Sequence, residues 1–129
     1  MENYILSGTK SKPYIELNCQ ENKLVFKGQS YPENAYSLYE PVYKWVDEYL
    51  SSVGDVETTV EFYLSYINTS STKCLLTLLE KLNTAYLQGK KLLINWYYDE
   101  DNGFDYDMGV DFKEDIDIPF SFISITDAT

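Results

Sequence analysis

Two nearly continuous apolar runs, one around Thr58 to Leu64 and one around Leu92 to Tyr97, flank a leucine-rich segment with helical spacing. A strand, a helix and a second strand in that order form a crossover unit, whose strands run parallel with a right-handed connection. Thr58, Thr59, Val60, Phe62, Tyr63 and Leu64 favour strand and read as a central parallel strand. Leu75, Leu76, Leu78, Leu79, Leu82, Tyr86 and Leu87 form the strongest helical pattern in the chain. That helix is expected from about Ser71 to Gln88 and stops at Gly89.

The flanking segments extend the same alternation. Tyr14 to Cys19 alternates polar and apolar residues with period two, Glu21-Asn22 signals a turn, and Lys23 to Lys27 returns, so an antiparallel hairpin is expected. Ala35, Leu38, Val42, Trp45, Val46, Tyr49 and Leu50 make one helical face. Ser30 and Glu33 have capping-box spacing, with Pro32 in the first turn. Pro41 is expected either to kink this helix or to open a second segment. The stretch after Asp99 is weakly helical, and Pro119 to Ile125 reads as a last strand. The order β-β-α-β-α-β-(α)-β predicts an α/β fold: a mixed sheet of about five strands, the central ones parallel, with two to three packed helices. Residues 1–129 read as one domain, with no repeat or linker.

Charge and composition narrow the function. The chain has 10 basic and 21 acidic residues, a net charge of −11, which leaves no basic stripe for nucleic acid or an anionic membrane. It has no histidine, which removes the commonest general base, the serine and cysteine triads and histidine-based metal sites. Cys19 and Cys74 stand far apart and read as reduced thiols. No signal-peptide pattern opens the chain, and no apolar stretch approaches the roughly 20 residues needed to span a bilayer, so a cytoplasmic protein is expected. The chain has 13 tyrosines, too many all to be core, so some are expected at the surface, either forming a protein-binding face or standing in for Leu and Phe at half-buried positions. A binding or switching module, rather than an enzyme, is the leading class.

Parallel strands near residues 25, 62 and 94 bring three loops to one sheet edge: 29–34, 67–72 and 98–104. The middle loop, Tyr66-Ile67-Asn68-Thr69-Ser70-Ser71, hands a strand to a helix. Helix N-termini offer unpaired N–H groups and partial positive charge, so a hydroxyl there suits a phosphate. Capping of the helix explains the same residue types. The acidic run from Asp99 to Asp107 is no EF-hand: with Asp99 first, the glycine position holds Phe104 and the glutamate position Val110.

The segments Ser30-Tyr31-Pro32-Glu33-Asn34, Tyr66-Ile67-Asn68-Thr69-Ser70-Ser71 and Trp96-Tyr97-Tyr98-Asp99 together resemble the SiaC-type bacterial regulatory phosphoproteins. The likeness spans nearly the whole chain, departing from the family pattern after Asp99. It implies a fold like the STAS domains of anti-sigma-factor antagonists. It also implies phosphorylation of Thr69 by a partner serine/threonine kinase, with reversal by a metal-dependent phosphatase. The unphosphorylated form would bind and activate a diguanylate cyclase. Tyr31, Pro32, Glu33, Asn34, Tyr66, Asn68, Ser70, Ser71 and Asp99 are then candidate partner-contact or phosphosite-loop residues, Ser70 and Ser71 being rival acceptors. No cofactor or metal is expected. Two other readings stand beside this one: an antagonist of an anti-sigma-factor kinase, and a small enzyme using carboxylates near Asp99 and Asp101.

Overall fold

The computed structural model describes residues 1–101 and 103–125. Six strands form one sheet in the order β1-β2-β3-β4-β5-β6, which is also chain order. They are β1 (Tyr4–Leu6), β2 (Tyr14–Asn18), β3 (Lys23–Ser30), β4 (Thr58–Ile67), β5 (Leu92–Asp99) and β6 (Phe120–Ile125). Three helices connect them: α1 (Ala35–Ser52), α2 (Thr69–Leu87) and α3 (Gly103–Lys113). The first three strands pair antiparallel and the last four parallel, so the mixed sheet with parallel central strands is present. One strand exceeds the expected five. The three-residue β1 is too short to show a period, and its register on β2 comes from tertiary pairing.

Each parallel crossover steps one strand in the same direction. Right-handed connections then put all three helices on one sheet face. Burial follows this rule. On β4, Val60, Phe62 and Leu64 are buried beneath the helices, while Tyr63 on the opposite face is half-exposed. That open face is covered by its own side chains. Tyr63 stacks on Tyr97 at 4.0 Å, and Lys27 lies 4.9 Å above the Tyr63 ring. Glu61 accepts from both tyrosine hydroxyls and pairs with Lys23.

The helix boundaries correct two expectations. The Ser30–Glu33 capping box does not form. Asn34 is the N-cap of α1 and accepts from the Ser37 N–H at 3.1 Å, while Ser30 ends β3 and is fully buried. A paired strand end cannot also start a helix, and pairing to Ile67 keeps Ser30 in the sheet. Pro41 opens no second segment, because α1 is continuous through it. The α2 helix starts two residues earlier than expected, at Thr69. Gly89 has φ +108°, a left-handed conformation that closes α2.

The weakly patterned stretch after Asp99 is a helix, α3, and its amphipathic signal is blurred for a reason. Only Asp105, Gly109 and Phe112 of α3 are buried, at spacings of four and three. Two of these three are not apolar. The Trp96 indole donates to the Asp105 backbone oxygen at 2.9 Å and packs against the tilted Phe112 ring, anchoring α3 to β5.

Candidate functional site

The C-terminal ends of β3, β4 and β5 are Ser30, Ile67 and Asp99, so the three loops do share one edge. An aromatic chain runs along it. Tyr31 meets Tyr66 edge-on at 5.8 Å, and Tyr66 stacks on Phe104 at 6.5 Å. Tyr66 and Phe104 are 44% and 55% exposed, large apolar areas for a surface and suited to docking.

At the centre of the edge, β4 turns into α2 through Asn68. Its side-chain oxygen accepts from the Ser71 N–H at 2.8 Å, and its carbonyl accepts from the Thr72 N–H and hydroxyl. Its own N–H donates to the Ser30 carbonyl at 2.9 Å, tying the turn to β3. Below this cap, Ser71 accepts from Ser30 at 2.8 Å, and Ser30 bonds the Tyr39 hydroxyl at 2.8 Å. All three side chains are fully buried. Burial pushes the Tyr39 phenol up to about 12, partly offset by its bond to Ser30, so it stays a neutral hydrogen-bonding group.

Between these anchored residues, Thr69 and Ser70 are exposed in the first turn of α2. The polar residues of this loop thus divide by position. Asn68 caps, Ser71 packs, and Thr69 and Ser70 face water at a helix start, where negative charge is favoured. Ser71, one of the two rival acceptors, is fully buried, and Ser70 is exposed.

The other candidates take varied places. Asn34 caps α1, Glu33 beside it is exposed, and Pro32 is buried. Tyr31 is half-buried, held to the β1–β2 connection by its N–H bond to the Ser11 carbonyl at 2.8 Å. Asp99 accepts from the Asp101 N–H at 2.9 Å and shapes the turn into α3. Among the described residues, no group of three or more acidic or thiol side chains is arranged to hold a metal. No helix there is long and apolar enough to cross a membrane.

One residue escaped the sequence reading. Asp105 is 5% exposed, and its Oδ1 has no hydrogen-bond partner. Burial raises its carboxyl pKa, a backbone hydrogen bond from Asp99 lowers it, and the Asp99 charge raises it further. Within a run of solvated acids, nothing in the sequence distinguishes the one that α3 turns inward.

Known proteins share this arrangement. A model of the SiaC family of regulatory phosphoproteins matches residues 6–125. An uncharacterized protein of Pseudomonas aeruginosa strain UCBPP-PA14 is 34% identical over 121 residues, covering 94% of this chain and 95% of that one. The structure of SiaC from Pseudomonas aeruginosa superimposes with a TM-score of 0.90 at 32% identity, over 97% of this chain and 100% of that one. A chain in the crystal structure of the diguanylate cyclase SiaD in complex with its activator SiaC, from the same organism, also gives a TM-score of 0.90. It is 33% identical, over 95% of this chain and 99% of that one.

Proposed function

The chain belongs to the SiaC family of regulatory phosphoproteins, and from that premise we propose that it is a phosphorylation-controlled switch whose unmodified form binds and activates a diguanylate cyclase. The observation that carries this reading is the exposure of Thr69 between a cap and a buried serine. Its hydroxyl is open to a kinase, while the residues that hold the helix start are not disturbed by its modification. A phosphate there adds roughly −1.5 to −2 charge at a helix N-terminus that tolerates it. The fold therefore persists, and the change falls on the docking edge, beside Tyr66 and Phe104. A serine/threonine kinase would install the phosphate and a metal-dependent phosphatase would remove it. The relative in complex with its cyclase favours this output over an anti-sigma-factor kinase. The protein acts by contact, with no catalytic residue of its own.

The test is cyclase activation by wild type, Thr69→Ala and Thr69→Asp, with mass spectrometry of the kinase-treated protein. Thr69→Ala should activate the cyclase and take up no phosphate at this loop. Thr69→Asp should keep its circular dichroism spectrum and bind at least about ten-fold more weakly, a loss of about 1.4 kcal/mol. Full labelling of Thr69→Ala, or tight cyclase binding by Thr69→Asp, would show the mechanism to be wrong.

A further inference from the structure

The sheet ends in two unlike edges. At one, β1 is three residues long and presents little backbone to a partner. At the other, β6 runs for six residues in unbroken register on β5. Among the described residues, no strand pairs with its outer side. Sheet edges are commonly guarded by a lysine, a bulge, an internal proline or an inward charge. From Phe120 to Ile125, β6 has none of these. Residues 118–125 hold no charged side chain, in a chain that is 24% charged.

The outward groups of this edge can be assigned. The Pro119 carbonyl accepts from the Ile94 N–H, so it points toward β5. Backbone polar groups of successive strand residues point to alternate sides, so those of Phe120, Phe122 and Ser124 point outward. A two-fold axis through Phe122 sets Phe122 against its own copy and Phe120 against Ser124. Each facing pair exchanges two hydrogen bonds, so every outward N–H and C=O of these residues is satisfied. The strand is thus complementary to itself.

A second observation lies on α3. Tyr106, Val110 and Lys113 are spaced by four and three residues and form one stripe of the helix. The Tyr106 ring lies 4.9 Å from Phe122, and the Lys113 Nζ lies 5.7 Å from the same ring, so the stripe stands over β6. Tyr106 and Val110 are exposed, and they continue the apolar edge onto the helix. A net charge of −11 makes copies of this chain repel. At β6 they can approach without bringing strand charges together.

We infer that β6 is a self-association edge. Two copies pair antiparallel through Phe120–Ser124, joining two six-stranded sheets into one. The axis stands perpendicular to the sheet. The helices of both copies therefore lie on one face, and their β4–α2 loops point to opposite ends. A single strand and a helical stripe make a small interface, so the dimer is a weak one.

The experiment uses the full chain. Sedimentation equilibrium up to about 1 mM, the weak end of association, should show the mass rising from 15.0 kDa toward twice that value. Amide exchange measured by NMR at low and high concentration should slow at Phe120, Phe122 and Ser124. Ser121 and Ile123, already bonded to β5, should not change. Ser124→Pro removes an outward N–H and no bond to β5, so the fold should keep its circular dichroism spectrum. Dimerisation should weaken at least ten-fold. Ser121→Lys, at an exposed position, should weaken it as well and serves if the proline variant fails to fold. The added lysine lowers the net negative charge, so its effect cannot come from greater repulsion. A mass that stays at 15.0 kDa across the range overturns the inference. A dimer that folded variants leave intact, or one that protects another face instead of β6, overturns it as well.

Discussion

Single residues in the α2 loop and in α3 have opposite relations to water, and their substitutions should separate accordingly. Ser71 is buried and bonded to Asn68 and Ser30, so Ser71→Ala removes one of the two hydrogen bonds of the buried Ser30 hydroxyl. Chemical denaturation should show a loss of about 1 kcal/mol. Kinase treatment of the folded protein should leave Ser71 unmodified in the mass spectrum. Asp105 is a buried acid with an unpartnered oxygen, and its pKa is raised chiefly by burial. A raised pKa means that the folded state holds this proton more tightly than the unfolded one. Stability from this group is therefore present below the ordinary carboxylate pKa and falls as pH rises through the raised one. Asp105→Asn should stabilise the protein at pH 7 by about 1 kcal/mol. It should also flatten the acid side of the stability profile, both measured by urea melts across pH. A melt in which the variant is less stable than wild type at pH 7 would refute the assignment.

At the scale of elements, α3 depends on the absence of a side chain. A Cβ on Gly109 would lie 2.6 Å from the Trp96 ring and 2.7 Å from Phe122. Trp96 is itself held by Phe62, Phe112 and Phe120, so the ring has no free direction. Gly109→Ala should displace α3 and cost about 1–3 kcal/mol, although alanine is the better helix former. Near-ultraviolet circular dichroism should register the change at Trp96. The start of α2 rests on a different device. Asn68→Ala removes one side-chain cap and should lower stability by about 1 kcal/mol. Because the cap also orients the exposed Thr69 turn, this variant should be a poorer kinase substrate in initial-rate assays than its stability alone predicts.

For the molecule as a whole, the net charge of −11 sets the response to salt. Self-repulsion destabilises the compact state, so the melting temperature should rise as sodium chloride goes from low concentration to about 0.15 M, where the Debye length is about 8 Å. Calorimetric melts across that range would check the sign, and a melting temperature that falls with added salt would remove self-repulsion as the controlling effect.

The alternation of apolar periods by itself determined the order of elements from β2 onward, the parallel centre of the sheet and the meeting of three loops at one edge. Period and handedness are local properties that act on topology. The hydroxyl-rich Asn68–Ser71 stretch likewise marked the turn into α2 and the place of its first exposed residues. Tertiary structure decided the rest, because those outcomes depend on pairings between residues distant in sequence. Ser30 belongs to β3 and not to a helix cap because Ile67 pairs with it. Ser71 is buried while its neighbour Thr69 is not, because Ser30 arrives beneath it from 41 residues away. The α3 helix carries a weak apolar pattern, and its docking is decided by a glycine against Trp96 and by an acid turned inward. No local period encodes a contact whose two halves lie on different elements.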